Sequence, residues 1–239
     1  MMNIFSVLYC EIRKVCRSKV FWLVFLVFAL APIMMGIGTI SSSGPNESSW
    51  QMYLSQLLNS LSGLGLIGYT FSAAWVFGRE YTDNTIQDLL VKPVSRGNIV
   101  MSKMLVILTW DILLSIYMFA IALSIGGFMG LTGWSSALIM NIFIRFFITS
   151  LLFIIVSTPG AFLANVSKGY LAPIGLILII VIFSSVLASM GFASYFPWTI
   201  PSVFLGSGFL SFSSILILIS TGIAGIAGTF VWWRFAEQQ

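Results

Sequence analysis

No histidine occurs among the 239 residues. That removes imidazole as a general base, proton relay or metal ligand. Charge is almost as scarce. Asp, Glu, Lys and Arg make up 8% of the chain, against about 25% in a soluble domain, too little to cover a water-facing surface. Cysteine is limited to Cys10 and Cys16. On a helix that separation is a rotation of about 600°, which sends the two side chains to different faces. They read as free cytoplasmic thiols, not as a shared metal site. No Gly-Lys pair exists, so there is no phosphate-binding loop. Gly-x-Gly-Asp and His-Glu-x-x-His are missing too, which argues against an intramembrane enzyme. No catalytic residue, cofactor or metal is expected on this chain.

Apolar residues are what the chain has: 59% are hydrophobic and the mean hydropathy is +1.03. The apolar runs are continuous over about 20 residues, the length of a membrane-spanning helix, and lack the alternation of a β-barrel strand. Six spans are predicted, at residues 20–40, 57–77, 104–128, 137–158, 171–190 and 210–232. The fold class is an all-α polytopic membrane protein, with residues 1–239 as one transmembrane domain. The first run is too long for a cleaved signal peptide and is followed by five similar runs.

The net charge of +4 reads as topology control rather than nucleic-acid binding. Arg13, Lys14, Arg17, Lys19, Arg79, Lys92, Arg96, Lys103, Lys168 and Arg234 all fall on one side of a six-span arrangement. The positive-inside rule then puts both termini in the cytoplasm. Trp22, Trp75, Trp232 and Trp233 fall near the inner boundary, and Trp50, Trp134 and Trp198 near the outer one. Residues 1–19 read as an amphipathic helix on the inner leaflet, with Ile4, Phe5, Leu8, Ile12, Val15 and Val20 on its apolar side and Glu11, Arg13, Lys14 and Arg17 on its polar, basic face. The outer loop before the last span, with Tyr195, Phe196, Pro197, Trp198, Pro201 and Phe204, is too apolar to be solvated. Short helices or a re-entrant turn are expected there.

The long polar stretch at 78–103 is where a cytoplasmic partner would be met. Thr85 and Asp88 have capping-box spacing, with Asn84 and Gln87 as a competing register. Pro93 stops the helix and Ser95 can cap the next. The result is a helix of two or three turns whose Ile86, Leu89 and Leu90 form an apolar face. That face either tucks against the inner leaflet or docks into a groove on a soluble partner.

Glu80, Asn84-Thr85, Leu89-Leu90, Pro93, Ser95-Arg96 and Lys103, together with Glu11, Lys14 and Arg17-Ser18, resemble the cytoplasmic signature of type-2 ATP-binding-cassette permeases. These are membrane subunits of bacterial exporters such as those for bacitracin, lantibiotics and other amphipathic peptides. The six-span layout is similar as well. The resemblance implies a separate ATPase subunit that binds ATP and Mg, and a permease homodimer or heterodimer of twelve spans with two ATPases. It implies ATPase coupling through Glu80, Asp83, Asn84, Thr85, Ile86, Gln87, Asp88, Leu89, Leu90, Pro93 and Arg96. A second contact would lie at 165–170, around Lys168. Many members carry Gly where Asn84 stands. The expected cargo is an amphipathic or hydrophobic molecule such as an antimicrobial peptide, bacteriocin or peptide toxin, in export or self-immunity, with antibiotic resistance as the outcome.

Asp111 and Arg145 are the ionisable groups within spans. At the bilayer centre each costs about 2.5–3.5 kcal/mol, so each should face protein or water. They are expected either as an ion pair or snorkelling groups, or as a polar patch on the substrate path. Met34 and Met35 either fill the core or adapt to apolar substrates. Gly222, Gly225 and Gly228 thin one face of the last span for close packing. An ion-gradient-driven secondary transporter is the alternative function, weakened by a single intramembrane acid and no evident inverted repeat.

Overall fold

The structure, a computed structural model, describes residues 4–43, 49–91 and 93–235. Lys92, one of the basic residues expected on the cytoplasmic side, lies outside the described residues, as does the side chain of Leu90, an expected coupling residue. Every long element is a helix: α1 (Ile4–Cys16), α2 (Lys19–Ser43), α3 (Trp50–Thr82), α4 (Ile86–Leu90), α5 (Arg96–Phe128), α6 (Ser136–Val166), α7 (Leu171–Ser189), α8 (Ile200–Ser207) and α9 (Phe212–Phe235). A 3₁₀ turn at Ala193–Tyr195 precedes α8. Six of these helices, α2, α3, α5, α6, α7 and α9, are long and apolar enough to cross a membrane.

The helices run past the apolar stretches because caps, not hydropathy, set their ends. Ser49 accepts the Met52 amide (3.3 Å) and starts α3 well before residue 57. Ser95 accepts the Asn98 amide (3.3 Å) and starts α5 well before residue 104. Each serine meets an amide that has no partner within its own helix. At the other end of the first helix, the Ser18 hydroxyl accepts the Val20 amide (3.1 Å) and opens α2. The leading segment therefore ends at Cys16 rather than 19.

Helix α3 is the axis of the bundle, with α2, α5, α6 and α7 packed around it and α9 packed along α6. Small residues permit this. A methyl group on Gly225 would stand 2.5 Å from the Pro159 nitrogen of α6. Gly222 and Gly225 are thus used inside the chain, whereas Ser220 and Ala224 face outward. At one end Trp50 is buried edge-on to Trp134 (centroids 4.9 Å) and its amide donates to the Thr132 carbonyl (3.0 Å). The 3₁₀ turn and α8 close the same end, and α8 stops at Gly208 in left-handed geometry (φ 79).

Candidate functional site

The opposite end gathers both described termini and the described basic residues except Arg145. Its centre is four charges drawn from three helices. Lys103 of α5, with no exposed surface, donates to Glu11 Oε2 of α1 (3.0 Å) and Glu80 Oε1 of α3 (2.9 Å). It also donates to the Val76 carbonyl (3.2 Å). Lys14 bridges the same carboxyls, at 2.6 Å to Glu11 and 2.9 Å to Glu80. The Thr85 hydroxyl donates to Glu80 Oε2 (2.7 Å). Two positive and two negative charges balance, which is what makes such deep burial tolerable. Burial alone would raise the Glu11 pKa, but Lys103 and Lys14 outweigh it and hold the carboxyl below its ordinary value. Burial would lower Lys14, and Glu11 and Glu80 outweigh that and hold the ammonium above its ordinary value.

Two expectations change here. The buried stripe of α1 is Val7, Glu11 and Val15, while Phe5 and Ile12 are exposed. The acidic residue expected on the polar face points inward because its partners wait there. Thr85 precedes α4 but makes no capping bond, its hydroxyl being drawn back to Glu80. Without a cap and with Pro93 close behind, α4 is five residues long rather than two or three turns.

The chain leaves α3 through a turn whose Asn84 has φ 55. The Thr85 amide donates to the Glu80 carbonyl (2.9 Å) and the Asn84 amide to that of Tyr81 (3.2 Å). This is the Schellman pattern, which favours glycine at the left-handed position and tolerates asparagine. Asn84 therefore takes the conformation a glycine would take. The α6–α7 turn repeats the pattern. Lys168 has φ 51, and the amides of Gly169 and Lys168 donate to the carbonyls of Ala164 (3.0 Å) and Asn165 (3.3 Å). Among the described residues, Asn84 and Lys168 are the non-glycine positions with positive φ.

Both turns lean on the last two turns of α3. A methyl on Gly78 would stand 2.6 Å from the Tyr170 amide nitrogen, so only glycine lets the second turn approach. The buried Asn165 accepts from the Trp233 indole (2.7 Å) and the Tyr81 hydroxyl (3.3 Å). Arg96 donates to the Trp233 carbonyl (3.2 Å), which ties in the end of α9. Ile86 and Leu89 are buried in the common core. The outward face of the first turn is therefore Asp83, Asn84, Gln87, Asp88 and Val91, with Pro93 also exposed, and that of the second is Val166, Ser167 and Lys168. Lys14, Arg79, Glu80, Asp83, Thr85, Asp88 and Leu89 line a groove beside α4.

The remaining candidates lie elsewhere. Asp111 is fully buried against α3, with Oδ1 accepting from Ser72 (2.6 Å) and Oδ2 lacking any hydrogen-bond partner. The neighbouring Tyr69 and Ser115 hydroxyls are 2.7 Å apart. Arg145 is exposed near Gly208 at the far end, and the two form no ion pair. Met34 is exposed on α2, and Met35 is partly buried against the core. No group of three or more His, Cys, Asp or Glu residues suited to a metal occurs among the described residues. Sequence reasoning missed the four-charge cluster as a unit. A signal was present: with so few charges, four falling in apolar or span-flanking sequence need partners.

Residues 7–184 match the family described as ABC-2 family transporter protein. The chain is similar to the bacitracin transport permease protein of Bacillus licheniformis, at 27% identity over 175 residues, which are 72% of this chain and 84% of that protein.

Proposed function

Because the chain belongs to the ABC-2 transporter family and is a multi-pass membrane protein, we propose that it is the permease subunit of an ATP-driven exporter. Its cargo is an amphipathic or hydrophobic molecule, best represented by an antimicrobial peptide or peptide toxin. ATP and Mg belong to a separate ATPase subunit, which docks on the end bearing α4, and that end faces the cytoplasm. Two permeases and two ATPases make the working unit.

The observation that carries this reading is the pairing of two solvent-facing turns on one rigid stem. Asp83, Gln87 and Asp88 on one turn and Ser167 and Lys168 on the other are presented together, and both turns rest on the end of α3. A push on either turn is delivered to the helix that contacts most of the bundle. Glu80 carries the same displacement to Lys103 and Glu11, so α1 and α5 move with it. Conformational work of this kind requires contacts whose strength differs between nucleotide states. Asp111 and Arg145 are proposed as polar elements of the bundle and not as catalytic groups.

Gentle purification of the tagged chain from its host, followed by mass spectrometry, tests the reading. A Walker-motif ATPase is expected in equal stoichiometry. It should be lost with Asp83→Lys combined with Asp88→Lys, whose positions are exposed and leave the fold intact. Transport by the chain alone in ATP-free vesicles, driven by a proton gradient, would instead favour a secondary transporter with Asp111 as its acid.

A further inference from the structure

The end remote from the charge cluster is almost bare of charge. Among the described residues Arg145 is its one charged side chain, and the sequence adds only Glu47, which lies outside the described residues. Arg145 lines a groove of about 490 Å³ between α3 and α6 with Gln51, Ser55, Leu58, Asn141 and Ile142. Its guanidinium, a planar fork of donors, takes part in no ion pair or side-chain hydrogen bond with the described residues. It rests against the α8–α9 turn, where a methyl on Gly208 would stand 3.3 Å from Nη2.

The depth of this group fits a membrane surface. Helix α6 has 31 residues, about 46 Å at 1.5 Å per residue, against about 30 Å of hydrocarbon. Centred in a bilayer, each end protrudes by about 8 Å, and Arg145, about 14 Å from the start of α6, lies about 6 Å inside the boundary. A snorkelling arginine reaches headgroups from there. Along the same helix Met140, Ile144 and Ile148, at steps of four residues, are 59%, 49% and 37% exposed and offer an apolar track beside the cation.

We propose that this groove binds the anionic headgroup, phosphate or carboxylate, of an amphiphile whose chain runs inward along Ile144 and Ile148. Arg145 supplies the charge and a two-pronged fork of donors. Asn141 lies one helical turn away, and Gln51 lines the groove from α3 as a neutral donor, beside Ser55, whose hydroxyl donates to the Met52 carbonyl (2.8 Å). No described carboxylate lines the groove to compete for the guanidinium. The ligand source is either a lipid of the outer leaflet or the amphipathic cargo, which share this chemistry.

The test is a titration of the purified permease, without ATPase, in neutral maltoside detergent. A bimane is attached at position 137 after Ala137→Cys, an exposed residue that lines the groove, with the exposed Cys10 and Cys16 changed to Ser, so that the groove is read. The probes are dodecyl phosphate, dodecyltrimethylammonium and inorganic phosphate. Dodecyl phosphate is expected to saturate the signal, with affinity weakened about tenfold by Arg145→Gln and about threefold or less by Arg145→Lys. Asn141→Asp, which sets a carboxylate beside the guanidinium, should also weaken it if Arg145→Gln fails to fold. Equal affinity in wild type and both variants overturns the proposal, as does equal binding of the cationic amphiphile. Saturation by inorganic phosphate at the same concentration leaves an ion site and removes the amphiphile. Dodecyl phosphate and anionic phospholipid competing for the site would identify a lipid source, and failure of the lipid to compete would identify cargo. Because no ATPase is present, failure here leaves the exporter reading standing, and failure of ATPase co-purification leaves this site standing.

Discussion

Lys103→Met is the most informative single change. Methionine retains most of the apolar stem and removes only the ammonium, which lies 5.9 Å from the Phe77 ring centroid. Glu11 and Glu80, each 3% exposed, would then share Lys14 alone. Removing one partner of a buried pair costs about 3–5 kcal/mol, because the other is left buried and uncompensated. For a chain of this length about 1 kcal/mol corresponds to about 2–4 °C in melting temperature, so a fall of about 10 °C is expected. Lys14 is 31% exposed, and water can replace its ammonium. Lys14→Met should therefore cost only about 1 kcal/mol.

The assay is thermal unfolding in neutral detergent, paired with amide exchange of residues 7–16. With Lys103→Met the exchange of α1 should rise most, since its inward face is held by Glu11. Adding Glu80→Gln to Lys103→Met removes one stranded charge and should recover part of the loss, a coupling that only interacting residues show. The reasoning fails if Lys103→Met melts within about 2 °C of wild type, or if the double variant is as unstable as the sum of the two single changes.

Three further outcomes follow from the same end of the molecule. Leu89→Asp should lower stability by about 3 kcal/mol and reduce yield even without an ATPase, because Leu89 is buried and an unpaired carboxylate there has no partner; yield and melting temperature of the isolated permease check this. Asn84→Gly should melt like wild type, whereas Asn84→Val should lose about 1–2 kcal/mol, because a β-branched residue resists the left-handed φ of 55. The hold on α1 should depend on pH at both extremes. Glu11 is held below its ordinary value of 4.5, so its contribution is full above 4.5 and is lost as pH falls through the lowered value. Lys14 is held above 10.5, so its contribution is full below 10.5 and fades as pH rises through the raised value. Protection of the α1 amides relative to their intrinsic exchange rate should therefore be greatest between these limits, and protection that stays uniform across them would refute the pairing.

The spans were legible because continuous apolar sequence has only one stable form in lipid, a helix that satisfies its own backbone. The helix ends at Ser49 and Ser95 were less so, since a serine declares itself a cap only when the following amide is seen to lack a partner. Periodicity correctly separated α1 from the first span, yet assigned the wrong inward stripe, because Glu11 was counted by its polarity and not by its partners. The same misjudgement ran the other way at α4. Ile86 and Leu89 looked like a face for the inner leaflet or for a partner because nothing in a short segment says that both side chains join the common core.

That reversal bears on mechanism. If α4 offered an apolar face to an ATPase, it would have to leave its own core to do so, and each engagement would cost the burial of Ile86 and Leu89, about 1.5–3 kcal/mol per side chain. Presenting Asp83, Gln87 and Asp88 instead leaves the permease folded whether or not the partner is bound. The apolar side of α4 is then free for a different task, which is to keep the turn fixed to α3. A polar outer face gives a contact that can be made and broken, and a buried inner face gives one that does not yield. The proposed coupling through a five-residue helix needs both, and they have to lie on opposite sides.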